Sequence, residues 1–299
     1  VVGLVVRERY LFPNEESGVL QRYGARKGVI MATGGFSRNI WFRRQQDPNL
    51  DERLDSTNHP GATGEGMLKM FAIGAAPVQV DQIQLGPWSS PDERGFGLVS
   101  QFNTIAGFPM GIMVDVRNGR RFCNELADRK ERTDAILGLM ENGKPVYPVC
   151  FTDSKGVEKA QTLKNGLKYG VIKKFDKLED LAKAYGIPVK PFLEQVAQWN
   201  SMVKKFKRAL DLAIVLDHPP FYACRVWPKV HYCMGGVGIT AKAQVHDVMG
   251  KIIPGLFACG EVTGGTHGAS RLGGCAIADG LVMGRVAADT CLKMTPVAL

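Results

Sequence analysis

The sequence predicts an α/β fold in which a second, α+β domain is inserted into the middle of the chain. Both ends have a glycine-rich α/β texture, in which short apolar runs are followed by glycine turns. Between residues 84 and 230 the texture changes to longer, charged, helix-rich segments. With 299 residues, 45% of them hydrophobic, the chain can bury the cores of two domains. We therefore expect a first domain made of residues 1–82 and 231–299, and an inserted domain of residues 83–230.

The N-terminal part contains predicted strands and one predicted helix. The apolar run at 27–33 ends at a glycine pair, as a buried strand does where it enters a tight turn. Residues 66–73 have a helical pattern, and residues 78–83 have a strand pattern. The run VVGLVV at 1–6 is typical of a strand interior, so we expect the sequence to begin inside a domain.

The inserted part is predicted to be mainly helical, with helices at 124–141, 178–185 and 191–206. The last of these has one apolar stripe at helical spacing, formed by Phe192, Val196, Trp199, Val203 and Phe206. After residue 231, we expect a strand at 256–258 and a helix of small residues at 274–290.

Composition and charge exclude several classes of protein. The net charge is +9, and the densest basic stretch, 155–208, has lysines spaced among apolar residues as on a solvated helix face. No RNA or DNA motif accompanies it, so we predict no nucleic-acid partner, although a positive field would attract an anionic substrate. Seven scattered cysteines without a CxxC pair argue against a disulfide framework and a zinc site. No apolar run is long enough to span a bilayer, and no metal is predicted.

Three separated blocks contain the residues that point to chemistry. The first is ATGGF at 32–36 with GATGEG at 61–66, where glycines after a strand let the backbone approach a dinucleotide. A simple strand-to-helix turn explains this block equally well. The second is NELADR at 124–129, in which Arg129 also fits a surface charge on a helix.

The third block is the most informative. It consists of HYCMGG at 231–236 and GEVTGGTHGASRLGG at 260–274. So many glycines around one arginine, one glutamate and two histidines have little value as core packing. They suit a backbone wrapped against a planar cofactor, with the following helix N-terminus facing negative charge. The block predicts a flavin or nucleotide site.

At these three blocks the sequence resembles the flavoprotein subunits of fumarate reductases and succinate dehydrogenases. It is most similar to the soluble bacterial fumarate reductase type, including flavocytochrome c and urocanate reductase relatives. The resemblance implies a Rossmann-like FAD-binding domain, incomplete at its N-terminus, with an inserted α+β capping domain. Glu261 matches the acid that binds FAD ribityl or ribose hydroxyls. The implied FAD-binding residues are Ala32, Thr33, Gly34, Gly35, Thr63, Gly64, Gly66, Gly235, Glu261, Gly273, Ala276 and Ile277.

The chemistry implied by the resemblance is reduction of the C=C bond of an α,β-unsaturated carboxylate. His231 and Arg271 match residues that grip the carboxylate, and the planar fork of Arg271 suits that role. Flavin N5 gives hydride to the β-carbon, and Arg129 matches the arginine that protonates the α-carbon. Arginine is an unusual acid because its pKa exceeds about 12. From the residues alone, Arg129 is a second carboxylate clamp.

Two departures from the family pattern restrict the class of carboxylic acid that the site is expected to bind. Where the family has His-Pro-Thr, this chain has QLGPW at 84–88. The family's Thr-Glu-x-x-Arg stretch aligns with residues 104–108, where Thr104 is kept but Ile105 and Phe108 replace the glutamate and arginine. A second carboxylate would be buried without a partner, at a cost of several kcal/mol. We predict a monocarboxylate such as urocanate, cinnamate or acrylate, bound by Trp88, Thr104, Phe108, His231 and Arg271.

The GxGxxG fingerprint of dinucleotide-binding domains does not occur in these residues. We expect the first βαβ unit to lie outside the sequence. The resemblance also implies electron delivery by a haem module or an electron-donor protein, with haem on a preceding segment or on a partner. It implies a role in anaerobic respiration and favours the bacterial periplasm over the cytoplasm.

Three other functions stay open. The first is a fumarate reductase proper. The second is a flavin-dependent ketosteroid dehydrogenase, which usually relies on tyrosines, so His231 and Arg271 argue against it. The third is a non-catalytic flavin-binding or sensor protein, against which the joint presence of Arg129, His231 and Arg271 argues.

Overall fold

The chain forms two compact units. The computed structural model describes residues 1–298 apart from 12, 13, 15, 159, 161, 162 and 206–211. Unit 1 consists of Val1–Gln84 and Val230–Leu299, and unit 2 consists of Leu85–Lys229. Among the described helices, none combines the length and hydrophobicity that a membrane-spanning segment needs.

The first part of unit 1 has three short strands, then two helices, then two more short strands among its described residues. Its elements are β1 Gly3–Glu8, β2 Val19–Gly24, β3 Val29–Met31, α1 Ile40–Gln46, α2 Glu65–Ala72, β4 Pro77–Val78 and β5 Ile83–Gly86, in which the chain passes into unit 2. Strand β3 confirms the predicted strand before the glycine pair. The predicted strand at 78–83 is wrong, because a turn containing Gln79, with φ of 51°, separates β4 from β5.

Unit 2 is built on an antiparallel sheet with helices. Its elements are a π-helix Phe102–Gly107, α3 Phe108–Met110, β6 Ile112–Asp115, β7 Arg120–Arg121, α4 Arg129–Leu137, β8 Met140–Glu141, β9 Lys144–Pro145, β10 Val149–Thr152, α5 Leu163–Lys168, β11 Lys173–Phe175, α6 Leu178–Ala184, α7 Val189–Lys205 and β12 Phe221–Arg225. The five-stranded sheet has the order β11-β12-β10-β6-β7. Every pairing in it is antiparallel.

The core of unit 2 lies where the sheet meets α6 and α7. Phe192, Val196, Trp199 and Val203 of α7 are buried with sheet residues such as Phe151, which confirms the predicted apolar stripe. Phe206, the last predicted member of that stripe, lies outside the described residues.

The predicted helix at 124–141 is too long at both ends. Helix α4 begins at Arg129, because the Asp128 carboxylate accepts the N–H groups of Lys130 at 2.7 Å and Glu131 at 3.1 Å as an N-cap. It ends before Gly138, and residues 140–141 form strand β8. Sequence periodicity did not reveal these caps, because α4 has no strong apolar stripe.

The second part of unit 1 completes its core. It contains β13 Lys229–Cys233, β14 Gly236–Val237, β15 Gln244–His246, β16 Ile252–Ala258, a 3₁₀ turn Gly260–Val262 and α8 Cys275–Leu292. Strand β16 pairs in parallel with β3 and antiparallel with β15, which brings the N-terminal and C-terminal parts of unit 1 into one sheet. The predicted strand at 256–258 and the predicted helix after 274 are confirmed, as is the mixed α/β character.

Candidate active site

The turn after β3 places predicted cofactor residues against the third sequence block. Gly34 has φ of 75°, and a Cβ there would meet no atom within 4 Å. A Cβ on Gly35 would lie 2.6 Å from Glu261 Oε1, closer than real contacts allow. Glycine is therefore needed at position 35 for the Glu261 carboxylate to approach the turn, and the space beside Gly34 is open.

Glu261 is a half-buried carboxylate with one backbone partner. Its Oε1 accepts the N–H of Cys233 at 2.9 Å. Burial raises the pKa of Glu261 from 4.5 to about 7, and the hydrogen bond from Cys233 and the charge of Arg271 offset part of that rise. A carboxylate in this position can accept a hydrogen bond from a ligand hydroxyl, which would replace the water that burial removes.

Two further glycines pack the same turn against α2. A Cβ on Gly66 would clash with Thr33 Oγ1, and a Cβ on Gly64 would lie 2.6 Å from Phe36 Cβ. Gly64 has φ of 72°, a conformation that favours glycine, and α2 begins at the next residue. The structure therefore brings the ATGG and GATGEG segments together at a helix N-terminus. Ala32 is exposed after β3, and the Thr63 carbonyl accepts a hydrogen bond from Asn39 Nδ2 at 2.9 Å.

The remaining predicted cofactor residues lie at the start of α8 and after β13. Glycines 273 and 274 precede α8, and Gly274 has φ of 85°. The first turn of α8 contains Ala276 and Ile277, and Ile277 is 70% exposed. Gly235 instead packs its backbone directly on that of Gln79, so it has a packing requirement of its own. The start of α8 thus presents an exposed apolar side chain beside helix N-terminal backbone.

His231 lies on β13 and is oriented by residues that follow α1. Its Nδ1 lies 2.8 Å from Thr57 Oγ1. The side chain of Asn58 donates to the His231 carbonyl at 3.2 Å and to Ser37 Oγ at 2.9 Å. These contacts fix the imidazole ring relative to the backbone of β13.

Arg271 is buried against the residue that follows His231. Its guanidinium carbon lies 4.3 Å from the centroid of the Tyr232 ring, within cation–π range. Gln84 Nε2 donates to the Arg271 carbonyl at 2.9 Å. Tyr232 also contacts His267, whose ring centroid lies 5.5 Å from the Tyr232 ring centroid. Burial lowers the pKa of His267, although Asp279, with a carboxylate oxygen 3.8 Å from its Nε2, acts in the opposite direction.

In unit 2, the four remaining predicted residues line one cavity. Trp88, Thr104, Phe108 and Arg129 surround about 250 Å³, together with Pro109, Leu126 and Arg132. The π-helix continues into α3, so Thr104 and Phe108 lie one turn apart on the same face. The Arg129 guanidinium carbon lies 4.6 Å from the Trp88 ring centroid.

Buried polar side chains hold the walls of this cavity. Asn103 Nδ2 donates to the Trp88 carbonyl at 2.9 Å. The Glu125 carboxylate accepts the Met113 N–H at 2.9 Å and both donors of a bidentate Arg121 guanidinium. The loop that leads into α4 is therefore tied to β6 and β7, which sets the position of Arg129.

Sequence reasoning missed three residues of these sites. Thr57 is 174 residues away from His231 along the chain, and no sequence signal links the two. Tyr232 follows His231 directly, but its contact with Arg271 depends on the tertiary structure. Arg132 could have been found, because it lies three residues after Arg129 on one helix face.

A glycine turn with open space, a half-buried carboxylate and a helix N-terminus define a protein that binds a dinucleotide cofactor. The chain belongs to the FAD binding domain family, whose model matches residues 1–277. FAD is therefore its cofactor.

Several known proteins similar to this chain are reductases. It is 48% identical over 296 residues to an acrylate reductase flavoprotein subunit from Shewanella woodyi, a match that covers 96% of this chain and 58% of the relative. It is 38% identical over 272 residues to a fumarate reductase (cytochrome) from Shewanella frigidimarina, covering 89% of this chain and 45% of the relative. The open conformation of a flavocytochrome c3 fumarate reductase superposes with a TM-score of 0.76 at 35% identity, covering 98% and 49%. The chain thus spans about half the length of these relatives.

The residues of unit 1 fit FAD. The open space at Gly34 admits a planar or sugar group close to backbone, and Glu261 offers a carboxylate oxygen to a sugar hydroxyl. The start of α8 offers backbone N–H groups at the positive end of an 18-residue helix. When FAD is bound, these residues would hold it, and the cofactor would supply hydride chemistry.

The stability of the FAD-free protein should report the environment of Glu261. Its pKa is 4.5 in an unfolded chain and about 7 in the folded protein, so its stabilising contribution is complete below pH 4.5 and is lost as the pH rises through 7. We expect the free energy of unfolding to fall over this range, and Glu261→Gln to remove on the order of 2 kcal/mol of that fall. Urea unfolding of both forms at pH 5 and pH 8 measures it. Equal falls in the two forms would contradict the assigned environment.

Proposed function

We propose that the protein is an FAD-dependent reductase of the C=C bond of a short α,β-unsaturated monocarboxylate, with acrylate as the best substrate. The observation that carries this proposal is the cavity of unit 2, where Arg129 is stacked on Trp88 among the apolar side chains of Phe108, Pro109 and Leu126. A small cavity with guanidinium groups on apolar walls fits a substrate that has one negatively charged group and a short apolar remainder. The similarity to an acrylate reductase flavoprotein subunit supports the same substrate.

The roles of the residues follow from the chemistry of this reaction. A bound, reduced FAD would supply hydride chemistry at the β-carbon. Arg271 and His231 of unit 1 hold the carboxylate, which keeps the double bond polarised. Arg129 of unit 2 delivers the proton to the α-carbon. Thr104, Phe108 and Trp88 shape the pocket for the rest of the substrate.

The two units correspond in this proposal to two functional domains. Unit 1 is a Rossmann-like FAD-binding domain, and unit 2 is its capping domain. The glycine turn, Glu261 and the start of α8 all lie in unit 1, which supports the first assignment. Electrons reach the flavin from a haem module or an electron-donor protein, in an anaerobic respiratory role in the bacterial periplasm.

Substrate preference tests the proposal directly. The complete FAD-loaded protein is reduced without oxygen, and flavin absorbance is followed as acrylate, fumarate, urocanate and cinnamate are added in turn. We expect acrylate to reoxidise the flavin at least about tenfold faster than fumarate, because no cation replaces the family's histidine at 84–88 or its arginine at 104–108.

Each other outcome has a definite meaning. Fastest reoxidation by fumarate would contradict the monocarboxylate assignment while keeping the class of reaction. Fastest reoxidation by urocanate or cinnamate would contradict the small pocket. A flavin that none of the four acids reoxidises would favour a ketosteroid dehydrogenase or a non-catalytic flavin protein.

A further inference from the structure

Arg132 is the second guanidinium of the unit 2 cavity. Its guanidinium carbon lies 4.9 Å from the Phe108 ring centroid, as that of Arg129 lies 4.6 Å from the Trp88 centroid. Its Nη1 donates to the Glu125 carbonyl at 3.0 Å. The aromatic ring and the carbonyl together hold the guanidinium in place at the cavity wall.

The charge of Arg132 is only partly compensated by its surroundings. Its Nε is buried and has no hydrogen-bond partner among the described residues. Within the described part of the chain, no carboxylate lies within ion-pair distance of it, whereas Arg121 of β7 is paired with Glu125. Burial lowers the pKa of the Arg132 guanidinium, and the charges of Cys123 and Asp128 offset part of the effect. A buried, partly compensated charge costs stability, and an anion in the cavity that the guanidinium lines would offset that cost.

The geometry of the substrate indicates which anion this is. In an α,β-unsaturated acid, the α-carbon is bonded directly to the carboxyl carbon. A residue that protonates the α-carbon therefore works next to the carboxylate. Arg129 and Arg132 occupy positions i and i+3 of α4, where Cβ atoms are about 5–6 Å apart. One helix face can thus serve both groups of the substrate.

We propose that Arg132 binds the single carboxylate of the substrate, the same group that Arg271 and His231 hold, while Arg129 protonates the neighbouring α-carbon. Arg132 is then a substrate-binding residue, and its positive charge stabilises the negative charge that develops on the carboxylate during the reaction. This inference rests on the proposed enoate reductase function. The Arg132 guanidinium also covers one face of the Phe108 ring. That face is then not available to stack on an aromatic substrate tail.

The test compares a charged substrate with a neutral one of the same shape. In the complete FAD-loaded protein, Arg132→Gln should lower kcat/KM for acrylate by about 10- to 100-fold, because a charge-assisted hydrogen bond is lost. For acrylamide, which has no carboxylate, kcat/KM should change by less than about threefold. The inhibition constant of propionate should rise by about tenfold or more, and this measurement requires no turnover of a neutral substrate.

Matched variants separate binding from structure. Lys130→Gln removes the same charge from the same turn of α4, and because Lys130 is exposed and paired with Asp134 it should leave all three values unchanged. Arg132→Lys keeps the charge without the planar fork and should recover part of the propionate affinity, and it carries the test if Arg132→Gln does not fold.

The outcomes also separate this inference from the proposed function. If the wild-type protein reduces acrylate but Arg132→Gln binds propionate as tightly as the wild type, the inference alone is overturned. Equal losses for acrylate and acrylamide with unchanged propionate inhibition would assign Arg132 a structural role. A wild-type protein that reduces no enoate would overturn the proposed function itself.

Discussion

Replacing Arg129 by alanine is expected to lower kcat for the best enoate by at least about 100-fold while FAD stays bound. A positioned general acid contributes about 10²–10⁴-fold to a rate, and the α-carbon would have no other donor in this role. Arg129 is the first residue of α4, and the Asp128 cap and the Trp88 ring define its place in the cavity. Rapid mixing of reduced enzyme with substrate measures the rate, and flavin absorbance confirms cofactor content.

The control for this experiment is Arg120→Ala. Arg120 is also in unit 2, but it is exposed and paired with Glu194, so its loss should leave kcat unchanged. Arg129→Lys keeps a positive charge and the aromatic contact, yet it should stay slow because the shorter, narrower ammonium does not reach the same position. A near-normal rate in either Arg129 variant would show that the acid has been wrongly assigned.

Replacing Arg271 by alanine is expected to raise KM for the enoate by about 100-fold. The proposed bidentate contact to the carboxylate would be lost, and such charge-assisted contacts are worth about 1.5–3 kcal/mol or more where water is excluded. Steady-state kinetics with acrylate at increasing concentration measures the effect. An unchanged KM would remove Arg271 from the substrate site.

Arg271 also packs on Tyr232, so its replacement can disturb the local structure as well as remove a substrate contact. The experiment must separate these two effects. Arg271→Lys keeps a cation over the ring and should bind FAD normally, while KM stays raised because the fork is absent. Arg285→Ala is the matched control, because Arg285 is an exposed arginine of α8 in the same unit. We expect it to change neither KM nor FAD content.

The regular elements were predictable where a strong local pattern exists. The stripe of α7 is a 3.6-residue pattern, and the strand before the glycine pair is a short apolar run with a clear stop, so both were found. The boundaries of α4 and the break after β4 were not found. They depend on single residues, the Asp128 cap and the left-handed Gln79, rather than on periodicity.

The residues of the candidate sites also fall into those that the sequence predicted and those that it did not. Four predicted residues of unit 2 share one cavity, and Gly35 and Glu261 of unit 1 touch, although the sequence stated only that both belong to cofactor blocks. Thr57 and Arg132 were not predicted. Thr57 is important for its contact with His231, and Arg132 for its contacts with Phe108 and the Glu125 carbonyl. Polar or charged residues of these types are common on surfaces, so residue type alone does not mark them.

The sequence by itself determined the α/β class and the cofactor family, because glycine spacing and rare motifs are local properties of the chain. The tertiary structure decided which side chains meet. Parallel pairing of β16 with β3 brings Glu261 to the glycine turn, and the capped start of α4 places two guanidinium groups on one cavity. Contacts between residues far apart in sequence depend on how the whole chain buries its apolar surface, and no local pattern encodes them.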